Sequence, residues 1–201
     1  MMSQFILPGE RGKPRRLSVR EYLALCREHF LSYWKAYTLP LLALFVFQVF
    51  FRIDVNYTES LPDHVFITVK GWKSNLKRGD YVSYRFPTEH PYSPFRKGAH
   101  MVKIIAGVEG DTVRMNDERA FTVLAPGENS NALRIPGSDQ TLGVAKTHSK
   151  RGKPLEAGPV GVIPKGSYYV FAPHKDSLDS RYAMVGWITE ADIIGRTFSL
   201  F

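Results

Sequence analysis

An uncharged apolar run near the N-terminus constrains this chain more than any other feature. No charged residue occurs between Lys35 and Arg52, and Leu, Phe, Val and Ala fill most of the sixteen positions between them. The run lacks the 3.6-residue alternation of an amphipathic core helix, and it approaches the ~20 apolar residues that span a bilayer. Since no A-x-A cleavage motif follows, the sequence predicts a retained transmembrane anchor over residues 36–52.

The distribution of charge predicts the orientation of this anchor. Seven basic and three acidic residues precede Ala36, so this short segment carries half of the net charge of +8. By the positive-inside rule, residues 1–35 are expected in the cytosol and residues 53–201 on the other side of the membrane. The remainder is only mildly basic and shows no aromatic and arginine platform, so no nucleic-acid partner is expected. Cys26, the only cysteine, precedes the anchor, which excludes disulfides and cysteine metal sites from the exported part.

The exported part has the pattern of a mainly β domain. Short apolar or alternating runs are separated by Gly, Pro and Asp, and they predict strands at residues 65–69, 80–86, 101–108, 111–115, 167–171 and 193–201. No alternation of strands with helices is present, so a doubly wound parallel sheet is not expected. Residues 116–161 are polar and rich in Gly, Pro, Ser and Asn, which predicts a less ordered insertion within this domain.

Most familiar catalytic and cofactor motifs are missing from the sequence. It contains no G-x-S-x-G, H-E-x-x-H, Walker or dinucleotide-binding motif, and its six histidines show no metal-ligand spacing. We therefore expect no metal and no cofactor. A Ser-His-Asp arrangement through His174 stays open at this point, because such residues meet in space and not in sequence.

Lys103 is the first candidate for catalysis, because it interrupts an apolar strand, Met101-Val102-Lys103-Ile104-Ile105-Ala106. Burial disfavours an ammonium ion and can lower its pKa by ~3–5 units. A neutral lysine amine can deprotonate a serine hydroxyl. The alternative is a lysine on an edge strand that reaches water.

Two other segments concentrate hydroxyl groups. "YTESLP" places Ser60 just after the anchor, and "DSLDSRY" places Ser177, Asp179 and Arg181 before the last strands. Each segment taken alone is equally typical of a solvated turn, the second one held by an Asp–Arg ion pair.

The order of these segments resembles the type I signal peptidases, which are membrane-tethered Ser–Lys endoproteases. "LKRGDYVSY", "VKIIAGVEGDTV", "SLDSRY" and "IIGR" are similar to blocks of that family, and they extend the resemblance over residues 57–201 apart from the insertion. The resemblance implies a signal-peptidase-like antiparallel β domain and a serine endopeptidase. It also implies that Ser60 is the nucleophile and Lys103 the general base.

The resemblance further assigns supporting roles. The backbone N–H of Ser60 and the hydroxyl of Thr58 would bind the oxyanion. Ser177 would hydrogen-bond and orient the lysine amine, while Asp179 and Arg181 would pair to hold the strand that carries Ser177. The implied partners are the lipid bilayer and a precursor protein with a leader peptide. The implied location is the inner membrane, with a periplasmic catalytic domain.

One spacing is similar to a particular branch of the family. A single residue separates Ser60 from Pro62, as in the conjugative-transfer (TraF-type) peptidases that process pilin precursors and in some cases cyclise the product. The chain departs from family patterns at His64, Ile104 and the dipeptide Ala172-Pro173. A pilin precursor is therefore the expected substrate, processed by hydrolysis or by cyclisation.

Two alternative functions stay open: a general leader peptidase for secreted preproteins and a non-catalytic membrane-anchored assembly protein. A self-cleaving repressor with a similar catalytic pair is disfavoured by the anchor.

Overall fold

The computed structural model describes residues 17–56, 60–127 and 142–200. The chain divides into two compact units, one that ends at Val46 and one that begins at Phe47. The second unit contains the β domain.

Helix α1 (Val19–Phe50) precedes the strands. It starts with a capping box: the Ser18 N–H donates to the Glu21 carboxylate (2.9 Å), and the Glu21 N–H donates to the Ser18 hydroxyl (3.3 Å). Tyr33 has non-helical backbone angles and Pro40 lies within the helix. None of the residues of α1, all of which are described, is buried. By length and composition the helix is suited to cross a membrane.

The predicted anchor matches only part of this helix. Residues 36–50 form its C-terminal half, whereas its N-terminal half extends back to Val19 because the capping box fixes the start there. The last two anchor positions, Phe51 and Arg52, lie instead in the first strand, where they pair with Val69 and Thr68. An unbroken apolar run cannot show where a helix gives way to a strand.

Ten strands lie in the described residues, and they follow in chain order. They are β1 (Phe51–Val55), β2 (Val65–Lys70), β3 (Tyr81–Arg85), β4 (His100–Gly107), β5 (Thr112–Met115), β6 (Phe121–Leu124), β7 (Gly161–Val162), β8 (Ser167–Phe171), β9 (Ile188–Thr189) and β10 (Ile193–Ser199). The six predicted strands correspond to β2, β3, β4, β5, β8 and β10. The sequence did not predict β1, β6, β7 and β9.

All strand pairs are antiparallel, so the predicted fold class is confirmed. A seven-stranded sheet has the order β1-β2-β10-β3-β4-β8-β9, and a three-stranded sheet has the order β6-β5-β7. In β10, a Cβ atom at Gly195 would lie only 1.9 Å from the carbonyl oxygen of Val69, so glycine is required for this strand to approach β2.

The core of the β domain consists of apolar side chains from both sheets and from the loop between β8 and β9. The largest fully buried apolar and aromatic members are Phe66, Tyr84, Phe86, Ile105, Phe121, Leu142, Ile163, Tyr169, Phe171 and Ile188. β3, β4 and β8 contribute most of their residues to it. Four charged side chains are buried among the described residues: Asp111, which pairs with Arg78, and Lys103, Asp179 and Arg181, which belong to the site described below.

The structure differs from the prediction of a less ordered insertion. Within residues 116–161, β6 pairs along its full length with β5. Residues 142–161 form further bridges, including Ala157 with Tyr182, and they bury Leu142 and Ala145. Apolar positions spaced among Gly and Pro were enough to build this packing. Residues 128–141 lie outside the described part of the chain.

Candidate active site

Ser60 lies in the loop between β1 and β2 and is only 7% exposed. Its hydroxyl donates a hydrogen bond to the side-chain oxygen of Asn56 at 3.4 Å. The apolar neighbour Leu61 is buried in the core, which fixes the backbone next to the serine. Thr58, the expected oxyanion donor, lies outside the described residues, so its position is not part of this geometry.

Asn56 organises the loop that carries Ser60. Its backbone N–H donates to the carbonyl of His64 (2.8 Å), and its side-chain amide donates to the carbonyls of Leu61 (3.1 Å) and Asp63 (3.2 Å). Asn56 therefore contacts both ends and the middle of the loop. The sequence analysis missed this residue. Its only signal is that asparagine readily hydrogen-bonds nearby backbone in turns.

Lys103 lies on β4, which is an interior strand with β3 on one side and β8 on the other. It pairs with Val82 and is only 3% exposed. The alternative of an edge-strand lysine reaching water is therefore wrong. Burial lowers the pKa of Lys103 to about 8; the nearby charge of Asp179 opposes this shift, and that of Arg181 adds to it.

Ser60 and Lys103 both line one cavity of about 290 Å³. Ser177 lines it as well, so three of the predicted site residues are brought together from distant parts of the chain. Eight apolar or aromatic side chains line the cavity as well, namely Tyr92, Pro94, Phe95, Met101, Leu155, Leu178, Tyr182 and Met184. The other lining residues are polar or charged, namely Lys146, His148, Ser149, Lys150, His174 and Asp176. Apolar surface with convergent polar groups is typical of a peptide-binding or substrate-binding site.

The structure corrects two expectations about Ser177. It lies in the loop between β8 and β9, not on a strand. Its hydroxyl is buried and has no hydrogen-bond partner among the described residues, so the expected hydrogen bond to Lys103 is not formed. A buried hydroxyl without a partner costs about 1–3 kcal/mol, which favours any side-chain rotation that supplies one.

Asp179 and Arg181 form the expected ion pair, and it is almost completely buried. The contact is bidentate: Arg181 Nε donates to Asp179 Oδ1 (2.8 Å) and Nη2 donates to Oδ2 (2.7 Å). Arg181 Nη1 also donates to the carbonyl of Leu142 at 2.9 Å. The pair therefore connects the loop between β8 and β9 with the segment that follows residue 141.

Ala172, one of the departures from the family pattern, supports this pair through its backbone. Its N–H donates to Asp179 Oδ2 (3.2 Å), and its carbonyl accepts from Arg181 Nη2 (3.4 Å). The side chain of residue 172 is thus not needed for the contact.

His174 lines the cavity, but its Nδ1 accepts a hydrogen bond from the N–H of Asp176 (3.2 Å). A triad histidine would instead donate from Nδ1 to a carboxylate, so this geometry does not fit a Ser-His-Asp site.

Comparison with known proteins identifies the family. Residues 27–201 match the family described as "Signal peptidase, peptidase S26". The chain belongs to this family. It is also 31% identical, over 153 residues, to a protein named signal peptidase I P from Bacillus subtilis subsp. natto; the match covers 74% of this chain and 71% of that protein. A crystal structure of a signal peptidase I from Enterococcus faecalis aligns with a TM-score of 0.35 and 21% identity, covering 62% of this chain and 96% of that one.

Family membership confirms the prediction of a serine endopeptidase of the signal peptidase type. It leaves the alternative of a non-catalytic assembly protein without support. Signal peptidases act on precursor proteins that carry a leader, and the apolar N-terminal helix together with the family indicates membrane anchoring.

Proposed function

We propose that the chain is a membrane-anchored peptidase in which Ser60 is the nucleophile and Lys103 the general base. The observation that carries this proposal is the placement of Lys103: the amine is buried, its pKa is lowered to about 8, and it lines the same cavity as Ser60. With a pKa of about 8, roughly one amine in ten is neutral at pH 7, and most are neutral above pH 9.

The chemistry follows from these two groups. Ser60 Oγ attacks the scissile carbonyl and forms a C–O bond, while Lys103 Nζ takes the hydroxyl proton. The tetrahedral intermediate collapses, the C–N bond breaks, and the lysine returns the proton to the leaving amine. Water, or an amine of the product itself, then attacks the acyl-enzyme. The backbone N–H of Ser60 and the hydroxyl of Thr58 are the proposed donors to the oxyanion, on the strength of the family resemblance.

Three further groups have proposed positioning roles. Asn56 holds the loop of Ser60 through its three hydrogen bonds to backbone carbonyls. Rotation of the buried Ser177 hydroxyl toward Lys103 would satisfy it and orient the amine. The ion pair of Asp179 and Arg181 fixes the loop that carries Ser177, since its charged atoms are bonded to each other and to backbone carbonyls.

The proposed location is the inner membrane, crossed once by α1, with the N-terminus in the cytosol and the β domain in the periplasm. Support for this orientation comes from the excess of basic residues before Ala36. Ser60 follows the end of α1 by ten residues, so the nucleophile is tethered close to the membrane surface. A leader peptide in the same bilayer would meet it at a raised effective concentration.

The proposed substrate is a pilin precursor of a conjugative apparatus. Support comes from the single residue between Ser60 and Pro62, which is similar to the pilin-processing branch. A second candidate is a general leader peptidase for secreted preproteins, which the likeness to signal peptidase I P favours. Incubation with a pilin precursor and with unrelated preproteins separates the two, because the dedicated enzyme cuts only the pilin.

The catalytic assignment is tested by Ser60→Ala and Lys103→Met in the full chain, with precursor conversion followed on a gel. Both variants should lose processing by a factor of at least ~1000. Ser199→Ala and Lys165→Met, which change exposed residues, are the matched controls and should process normally. Undiminished conversion by either active-site variant would overturn the assignment. Mass spectrometry of the product then distinguishes hydrolysis from cyclisation, because a ring is one water lighter than the linear chain.

A further inference from the structure

A basic hairpin forms one wall of the candidate active site. It comprises residues 146–155, whose two arms pair through the N–H of Leu155 and the carbonyl of Thr147 (2.8 Å) and turn near Gly152. Lys146 and Lys150 from this hairpin line the cavity that holds the proposed catalytic pair. The hairpin belongs to the segment whose sequence suggested only a polar insertion.

The base of the hairpin is held firmly in place. Arg119 donates hydrogen bonds to the carbonyls of Ala145 (3.1 Å), Lys146 (3.2 Å) and Leu155 (3.0 Å). The N–H of Lys146 donates to the hydroxyl of Tyr182 at 3.1 Å. Since Tyr182 also lines the cavity, the hairpin has a defined position relative to the site. Its lysines are therefore presented at fixed points of the cavity wall.

The charges in this wall do not balance. The ammonium groups of Lys146 and Lys150 both contact the carboxylate of Asp176, which lies next to Ser177 in sequence. Hydrogen bonds from these two lysines lower the pKa of Asp176 to about 2, so it is ionised at physiological pH. Asp176 is the one acidic residue among the described residues that line the cavity. Two cations thus share one anion.

A third lysine of the hairpin adds to the excess. The ammonium of Lys153 lies 5.4 Å from the ring centre of Tyr92, another residue of the cavity wall. The side chains of Lys146 and Lys150 remain 42% and 75% exposed, so their remaining N–H groups can reach a ligand. One lysine would be enough to neutralise Asp176, and exposed ion pairs contribute little to stability. A purely structural role does not account for the second lysine.

We propose that Lys146 and Lys150 select precursors that carry an acidic residue close to the scissile bond. This inference rests on the proposed function, because it places the acidic side chain in the cavity of Ser60 and Lys103. A substrate carboxylate would bridge the two ammonium groups beside Asp176, and the pairing would be charge-assisted. An extended peptide advances ~3.3 Å per residue, so a cavity of this size spans only the few residues around the cut.

Anionic lipid headgroups have the same charge as an acidic peptide, and the chain has a candidate membrane anchor. The peptide is the better occupant because the two lysines line the catalytic cavity itself, together with Ser60 and Lys103. A lipid-binding role would require no such placement. The two occupants are separated by the experiment below, which uses uncharged detergent in one arm and anionic vesicles in the other.

The test is a cleavage-site survey. The full chain in nonionic detergent is incubated with a peptide library in which Asp, Asn and Lys occupy the positions flanking the cut in equal amounts, and the products are identified by mass spectrometry. Wild type should enrich Asp over Asn at one or two positions near the cut by a factor of about 10. The double reversal Lys146→Glu/Lys150→Glu should lose this enrichment and favour Lys there, which a merely structural role cannot produce.

Two further variants keep the test decisive. Lys146→Met/Lys150→Met should lose the preference for Asp without gaining one for Lys. This neutral variant replaces the charge-reversal variant in the test if the latter does not fold. Lys77→Glu/Lys165→Glu makes the same change in net charge at exposed residues that do not line the cavity, and it should retain the preference for Asp.

The outcomes are distinct. Equal enrichment of Asp in wild type and in the cavity variants, or none in wild type, would overturn the proposal. The proposal would also be overturned if the cavity variants lost only their binding to phosphatidylglycerol vesicles, because the two lysines would then bind anionic lipid. Cleavage by Ser60→Ala, included in the same survey, would instead show that the proposed catalytic function has failed.

Discussion

β4 and the loop between β8 and β9 both place ionisable side chains in the interior of the β domain. They differ in whether a bound counter-ion stabilises the charged form. Lys103 on β4 is surrounded by apolar neighbours, and burial lowers its pKa to about 8. Asp179 and Arg181 in the loop are equally buried but bind each other through two hydrogen bonds. The charge and hydrogen bonds of Asp179 outweigh burial and raise the pKa of Arg181.

The difference shows how one small domain can contain both a candidate general base, Lys103, and a rigid ion pair, Asp179 and Arg181. A buried amine without a tightly bound anion gives up its proton readily, which is what a general base requires. A buried ion pair with satisfied hydrogen bonds stays charged and contributes rigidity in place of proton transfer. The distance between the two regions is short enough that Asp179 and Arg181 influence the pKa of Lys103 in opposite directions. Burial is the largest of the three effects and sets the direction of the shift.

The largest expected effect comes from breaking the pair. Arg181→Met leaves the Asp179 carboxylate buried without its cation, so the free energy of unfolding should fall by about 3–5 kcal/mol. Asp179→Asn should be similarly harmful. The double variant should lose much less than the sum of the two single losses, because it leaves no unpaired charge. Urea unfolding of the full chain in nonionic detergent measures all three, and additive losses would show that the two residues are not coupled.

Lys103→Met should have the opposite effect on stability. At pH 7 both folded and unfolded wild type are protonated at Lys103, so the folded state bears the full cost of a buried cation. The difference between a pKa of 10.5 and one of about 8 corresponds to ~3 kcal/mol, which the variant should gain.

The pH dependence follows from the same shift. Between pH 8 and 10.5 the folded wild type loses the lysine proton while the unfolded chain keeps it, so wild-type stability rises with pH in this window. The advantage of Lys103→Met should therefore shrink from pH 7 to pH 10, as measured by urea unfolding. Lys165→Met, at an exposed position, should show no such trend. A constant difference across this range would mean that the amine is not desolvated.

The smallest effect is expected at Asn56, which acts on the position of Ser60 and not on charge. Asn56→Ala removes the acceptor for the Ser60 hydroxyl and both amide donors to Leu61 and Asp63, and it introduces no charge. We expect kcat to fall between about 10-fold and 100-fold, with little change in KM and none in the pH at half-maximal rate. Steady-state kinetics on a cleaved peptide measure this. A change confined to KM would assign Asn56 to substrate binding.

The sequence was sufficient for the features that depend on local patterns. The apolar run around Lys103 predicted a strand that contains a lysine, and it left open whether that lysine is buried or reaches water. The segment of Asp179 and Arg181 predicted their ion pair. A mainly β domain followed from short apolar runs separated by turn residues. Each of these signals lies within a few consecutive residues, where side-chain period and turn preference act directly.

Features that depend on contacts between distant segments could not be predicted. The hydrogen bonds of Asn56 exist only once its loop has closed, and Lys146 and Lys150 meet Asp176 only after residues 142–161 have packed on the domain. Ser18 and Glu21 match the capping-box pattern that marks the start of α1. The prediction was based on the apolar run and did not use this pattern. The same apolar run includes the first residue of β1, so the pairing of β1 with β2 was not predicted either.

The central claim is that burial lowers the pKa of Lys103 to about 8, far below the value of an exposed lysine. Its most direct test is an NMR titration of the full chain in detergent micelles with ¹³C- and ¹⁵N-labelled lysine, using Lys103→Met to assign the resonance. The account predicts a midpoint near pH 8, well below that of the exposed lysines. A Lys103 signal that stays cationic to about pH 10.5 with the others would contradict it.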